Sequence, residues 1–360
     1  MVSYCATSHN GPLVASGLCD VLPVHYSDLP RVLTSGPLRV DVLLLQVSSP
    51  DSAGRVSVGL TDDYISSAVA SARVVLVEIN EHVPFTYGST TLSPQDWTHA
   101  IHTSCPPAEM LPSPVTAELD AVATRVADLV QDGATLQFGI GALPDAVLRR
   151  LTDRADLGIH SGILSDNAME LMQAGIVTGA CKTVDRGVAV AGFVTGSQRL
   201  FDFVHLNAGV SIRSTSYTHD TAVLAAQSQL VAVNSAIEVD LTGQVNAEYV
   251  GDRYVGAVGG AMDFLRGAAR SPGGLPIIAL PSTAKGNSRI VARLSSVVST
   301  PRADAAIFVT EYGVADLRGA TIGRRVEQMI GLAHPDFRHD LEVEFETTMM
   351  NHSKRRRIAT

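Results

Sequence analysis

Along most of its length this chain repeats one arrangement, in which a short and unbroken apolar run is followed by residues at helical spacing and then by another apolar run. The runs are Val40–Val47, Val74–Ile79, Leu136–Phe138, Gly158–His160, Val188–Phe193, Leu230–Val233, Pro276–Ala279 and Ala306–Val309. Continuous apolar runs, as opposed to alternating ones, belong to strands buried on both faces, which is how mostly parallel sheets covered by helices read. The expected fold class is therefore α/β. Ser104 to Pro114 holds four prolines in eleven residues, a stretch that supports neither a helix nor an interior strand. It predicts a linker over 104–114, between an N-terminal domain at 1–103 and a C-terminal domain at 115–360. Just beyond it, Leu119, Val122, Val126 and Leu129 line one face of an amphipathic helix that Asp132-Gly133 closes.

Composition narrows the function classes. Of 360 residues 46% are hydrophobic and 18% charged, with mean hydropathy +0.18, which is the balance of a compact chain and excludes a disordered one. The formal charge of −9 is the wrong sign for a general nucleic-acid binder, which must displace counterions from phosphates. Apolar runs are broken by Asp41, Gln46 or Asn234 well short of the roughly 20 residues that span a bilayer, so no membrane partner is expected. Nothing at the start reads as a secretory leader, which gives a cytoplasmic expectation. Cys5, Cys19, Cys105 and Cys181 are scattered, without a metal-binding or disulfide spacing, and the basic run Lys354–Arg357 reads as a solvated tail.

Three glycine-containing loops are the candidate binding elements. Gly139-Ile140-Gly141 leads from a strand into a helix that Pro144 helps to start, so its backbone N–H groups can approach an anion or a carbonyl. It is not a complete dinucleotide fingerprint, because Pro144 stands at the third glycine and no acid follows at ribose distance. Gly259-Gly260-Ala261, with Asp263 close behind, forms a second such loop. Ser282, Lys285 and Arg289 supply a hydroxyl and two cations after a strand, a set that suits phosphates.

These segments, taken in order, resemble the acetyl-CoA hydrolase/transferase family, which includes the 4-hydroxybutyrate CoA-transferases and has the class I CoA-transferase fold. The resemblance rests on Gly139–Pro144, Leu157–His160, Asn234–Asn246, Gly259–Phe264, Pro281–Gly286, Thr310–Gly319 and Ala333–Arg338, and extends through Val42–Asn80. It implies two α/β domains with a cleft between them, acyl-CoA as substrate, a carboxylate acceptor, and a homodimer or larger assembly. No permanently bound cofactor or metal is implied. Family chains carry roughly one more βα unit at the front. Their chemistry uses a glutamate that attacks the thioester and conserves its activation as an acyl and then a CoA adduct.

The resemblance breaks at the reaction centre. Where the family has His-Thr-Glu, this chain has His160-Ser161-Gly162, so glycine stands at the nucleophile. Where it has an asparagine, Tyr217-Thr218-His219-Asp220 places His219. His219 is thereby the candidate base for water-dependent chemistry, since imidazole titrates near neutrality. Ser161 is a second candidate nucleophile. Glu238, on one face with Asp240 after a buried strand, is a candidate carboxylate that orients CoA or accepts a proton. The competing expectation is an acyl-CoA-binding homologue without turnover.

Overall fold

The computed structural model describes residues 1–6, 9–88, 90–110, 114–304 and 307–358, with side chains as far as 347. Two α/β units with parallel sheets make up the chain. The first holds three parallel strands, β1 (Val42–Val47), β2 (Val74–Asn80) and β3 (His99–Thr103), in the order β1-β2-β3. Leu43, Leu45, Val47, Val75, Val77 and Ile79 fill one face. The other face differs from the expectation for a run this apolar: Leu44 is 72% exposed and Ile101 62%. No helix among the described residues covers it, so a continuous apolar run here has only one buried side.

Residues 104–110 form neither helix nor strand. Positions 111–113 of the proposed linker lie outside the described residues. The second unit opens with α1 (Ala117–Leu129), N-capped by the Thr116 hydroxyl, which accepts from the Leu119 amide. Its sheet has strands β4 (Thr135–Phe138), β5 (Gly158–Ile159), β6 (Leu230–Asn234), β7 (Leu275–Ala279), β8 (Ile307–Thr310) and β9 (Gly313–Asp316). Their order is β9-β8-β7-β6-β4-β5, all parallel except β9. Period-2 alternation sends Ile277 and Ile307 to one core, shared with α1 and with α2 (Ala142–Arg149), and Ile278 and Phe308 to the other, under Met329 and Leu332 of α4 (Ile322–Leu332). A third helix, α3 (Ala261–Arg270), packs against β6 and β7. Each large apolar side chain so buried contributes roughly 1.5–3 kcal/mol. The run at 188–193 splits into Ala189–Ala191 and Phe193–Val194, which pair with different partners because Gly192 intervenes. The C-terminal basic run falls within the backbone of a helix, Pro335–Ile358.

The two units are joined by more than the linker. Single backbone bridges tie His25 to Gly259, Thr61 to Phe193, Asp63 to Ser214 and Gly88 to Ile212. At the last of these the contact needs glycine, because a Cβ on Gly88 would lie 1.7 Å from the Ile212 carbonyl oxygen.

Candidate active site

In an open parallel sheet, ligands bind beyond the carboxyl ends of the strands at the point where strand order reverses. Here the chain runs from β4 out to β5 on one side and returns on the other side with β6, so the reversal falls between β4 and β6. Asn234 at the end of β6 donates its amide to the Gln137 side chain of β4 at 3.0 Å, locking the two ends together. Beyond β4 comes Gly139-Ile140-Gly141. Gly141 has φ +123°, a conformation other residues avoid, and α2 starts directly after it with no side-chain cap. Ile140 projects outward, 56% exposed. Met110, Ile163, Ser165, Asp166 and Thr195 wall this loop into a narrow cleft.

His219 owes its position to a helix break. A short helix, Thr215–Thr218, ends at His219, and Asp220 then caps the next one by accepting from the Ala222 and Val223 amides at 2.8 and 2.9 Å. The imidazole is thrown inward, 3% exposed, against the rings of Phe264 (4.5 Å between centroids) and Tyr26 (4.9 Å). Burial, helped by the neighbouring His160, pushes its pKa down to about 3. It is neutral near pH 7.

Two glycines flank the far edge of this ring. A Cβ on Gly162 would sit 3.4 Å from His219 Cε1 and 3.6 Å from Nε2; a Cβ on Gly260 would sit only 2.5 Å from Nε2. Gly162 and Gly260 therefore border the same imidazole edge.

Sequence reasoning did not find Asp63 or Tyr26. The Tyr26 hydroxyl donates to Asp63 Oδ2 at 3.0 Å, and Thr61 donates to the same oxygen at 3.3 Å. Asp63 Oδ1 is buried without a hydrogen-bond partner among the described residues, next to Gly192, whose Cβ would lie 2.7 Å from it and 2.9 Å from the Gly162 carbonyl oxygen. Desolvation raises the Asp63 pKa to about 7 and outweighs both hydrogen bonds. Local spacing offers only Thr61, because Tyr26 and Gly192 come from distant parts of the chain.

Other predicted residues take up different tasks. Ser161 is fully buried; its hydroxyl donates to the Phe138 carbonyl at 3.0 Å and accepts from the Phe138 and Ile163 amides. It braces the loop, and the imidazole of His160 engages the Thr218 carbonyl and Gln227 instead of Ser161. The Ser282 hydroxyl and amide are both taken by the Glu311 carboxylate. The Arg289 guanidinium donates through Nε and Nη2 to the carbonyls of Ile237 and Ala236, so these nitrogens are committed inside the fold. Lys285 remains exposed at the tip of a two-residue hairpin turn with Gly286, both at positive φ. Asp263 accepts from the amide and hydroxyl of Ser27, tying α3 to the first unit, while Ala261 opens that helix after Gly260. Glu238 is half-buried, its pKa raised by desolvation, and its carboxylate makes no hydrogen bond or ion pair among the described residues. Asp240 is saturated by Thr242 and Gln244. Among the described residues no cluster of His, Cys, Asp and Glu could hold a metal, and no helix is long and apolar enough to cross a membrane.

Residues 3–93 match the acetyl-CoA hydrolase/transferase N-terminal domain and residues 196–345 its C-terminal domain. A 4-hydroxybutyrate coenzyme A transferase from Clostridium kluyveri is 41% identical over 337 residues, covering 92% of this chain and 79% of that protein. The chain belongs to the acetyl-CoA hydrolase/transferase family. The family acts on CoA thioesters, and its solved structures have the same fold. RipA from Yersinia pestis aligns with TM-score 0.91 at 34% identity, over 97% of this chain and 81% of that one. A 4-hydroxybutyrate CoA-transferase from Porphyromonas gingivalis aligns with TM-score 0.83 at 37% identity, over 94% and 84%.

Proposed function

We propose that this family member binds an acyl-CoA at the β4–β6 switch point and hydrolyses it by direct attack of water, without a glutamyl–CoA intermediate. The observation that carries this reading is the placement of His219 opposite Gly162: the side of Gly162 where a side chain would project is faced by a neutral imidazole. The room between them is that of a methyl group, which is also about the size of a water. As the water oxygen attacks the thioester carbonyl, His219 Nε2 takes its proton. Backbone N–H groups of the glycine loops stabilise the oxyanion. Collapse expels the CoA thiolate, which recovers the proton from the imidazolium, leaving a carboxylic acid and free CoA. Gly139, Ile140, Gly141, Gly259, Gly260 and Lys285 form the CoA-facing surface in this reading, with Glu238 orienting CoA.

The test is release of free CoA from a panel of acyl-CoA thioesters, with and without acetate, in the wild type and in His219→Ala. Borohydride trapping after incubation with acyl-CoA should recover no reduced glutamate. A second reading, an acyl-CoA-binding protein without turnover, is favoured by the depressed pKa of His219, since so weak a base accelerates proton removal less than one poised near 7. Measurable CoA binding with no CoA release and no acyl exchange would establish it.

A further inference from the structure

The space bordered by Gly162, Gly260 and the His219 edge has further walls. A Cβ built on Gly260 would lie 3.5 Å from Tyr26 Cβ, and one built on Gly162 would lie 3.7 Å from Phe264 Cε2. Three rings therefore surround it, with His219 packed against both Tyr26 and Phe264. An acyl group held at the His219 edge has only the room that these rings leave.

Tyr26 is a firm wall. It is 9% exposed, its hydroxyl donates to Asp63, and its amide donates to the Gly259 carbonyl at 3.0 Å, in the glycine loop itself. Two more tyrosines back it. The rings of Tyr4 and Tyr64 stand edge-on to Tyr26, with 5.3 and 5.6 Å between centroids, and edge-on to each other at 5.8 Å. Aromatic pairs prefer this edge-to-face arrangement, so the three rings brace one another.

Tyr4 and Tyr64 also line a cavity of about 340 Å³, together with Leu22, Leu29, Leu33 and Leu38. Small-molecule pockets run from roughly 300 to 1,000 Å³, and a lining so rich in leucine suits a hydrocarbon chain. Neither Tyr26 nor His219 lines this cavity, whereas Tyr4 and Tyr64 touch both it and Tyr26. The tyrosine rings thus form a partition, with the reaction space on one side and a leucine-lined space on the other.

We propose that Tyr26, backed by Tyr4 and Tyr64, determines specificity by limiting acyl length: short acyl groups fit in front of the partition, longer ones are shut out, and the cavity behind it is a chain site that the rings withhold. This rests on the reading that places the acyl group at the His219 edge, and it adds which side chains choose among acyl groups.

S-Alkyl-CoA thioethers cannot be hydrolysed, so calorimetric titration with the ethyl, butyl, hexyl and octyl members reads chain length whether or not the protein turns over. In the wild type, affinity should fall about tenfold or more from ethyl to octyl. Tyr26→Ala should narrow that ratio about tenfold, and Tyr64→Ala added to it should carry octyl past ethyl, since each methylene that gains apolar cover is worth about fourfold. Tyr26→Phe loses only the bond to Asp63 and should keep the wild-type order. A wild type that binds octyl as tightly as ethyl overturns the proposal whatever the variants do, and so does an unchanged ratio in Tyr26→Ala, or in Tyr26→Leu where the alanine form fails to fold. The expected order of affinities without CoA release from any acyl-CoA would defeat the hydrolytic reading and leave the partition standing. CoA release with an unshifted chain-length order would do the reverse, and no binding of any thioether would defeat both.

Discussion

Gly162 faces the edge of the His219 imidazole across a gap of one side-chain atom: a Cβ added to the glycine would meet ring Cε1 at 3.4 Å. Two positions 57 residues apart in sequence thus border one space. A glutamate at 162 would have to enter a region walled by His219 and Phe264. Gly162→Glu alone should therefore be overpacked, losing about 1–3 kcal/mol of stability and remaining without a trapped glutamyl adduct. Gly162→Glu combined with His219→Asn should regain stability and yield a borohydride-trappable glutamate with acyl-CoA. Equal behaviour of the single and double variants would separate the two positions.

The pH profile offers an independent check. With its pKa near 3, lowered by burial and by His160, His219 stays unprotonated across the range in which an ordinary histidine gains a proton. Activity that depends on its neutral form should hold down to about pH 5, without the midpoint near 6.5 of an unperturbed imidazole. Steady-state kcat/KM between pH 5 and 8, with Asp63→Asn as background to remove that carboxyl's own titration, reads this directly. A midpoint near 6.5 abolished by His219→Gln would contradict the buried, neutral ring.

Asp63 should govern stability over a different window. Its folded pKa is raised to about 7 by desolvation, while in the unfolded chain it titrates near 4. Between these values the folded state holds a proton that the unfolded state has released, so stability falls as pH rises, by at most about 1.4 kcal/mol per pH unit. The groups facing it, Tyr26, Tyr4, Tyr64 and Asp62, supply no cation to oppose this trend. Asp63→Asn should flatten the dependence of the urea midpoint on pH between 5 and 7 and be the more stable form at pH 8. An unchanged slope would show that the carboxyl ionises normally.

Gly260 should be intolerant for a steric reason alone. Its φ of −96° suits any residue, yet a Cβ would sit 2.5 Å from His219 Nε2. Gly260→Ala should cost about 1–3 kcal/mol by thermal unfolding. Because the clash is with one ring, Gly260→Ala in a His219→Ala background should cost clearly less, and additive losses would place the strain elsewhere.

The α/β class, the main strands and the glycine turn at 139–141 were legible in the sequence because each follows from local rules: a buried strand, a helix start, a residue needed at positive φ. The exposed face of β1–β3 was not, since an apolar run does not say how many of its sides are covered. Ser161 and Arg289 show the same limit in the site. Their types suit nucleophile and phosphate ligand, but the carbonyls of Phe138, Ala236 and Ile237 take them up, and those neighbours are set by tertiary packing. Asp63 and Tyr26, 37 residues apart, meet only through the tertiary packing of the first unit.

The four backbone bridges at 25–259, 61–193, 63–214 and 88–212 bear on how such a site can work. They stitch one unit to the other as a seam, with Gly88 pressed so close to Ile212 that the joint admits no side chain. A hinged clam shell could admit its substrate by swinging open; here that motion would have to unpick hydrogen bonds beside the reaction centre itself. The exposed Ile140 tip and the Lys285 hairpin lie outside this seam, so a ligand can reach them without the two units parting.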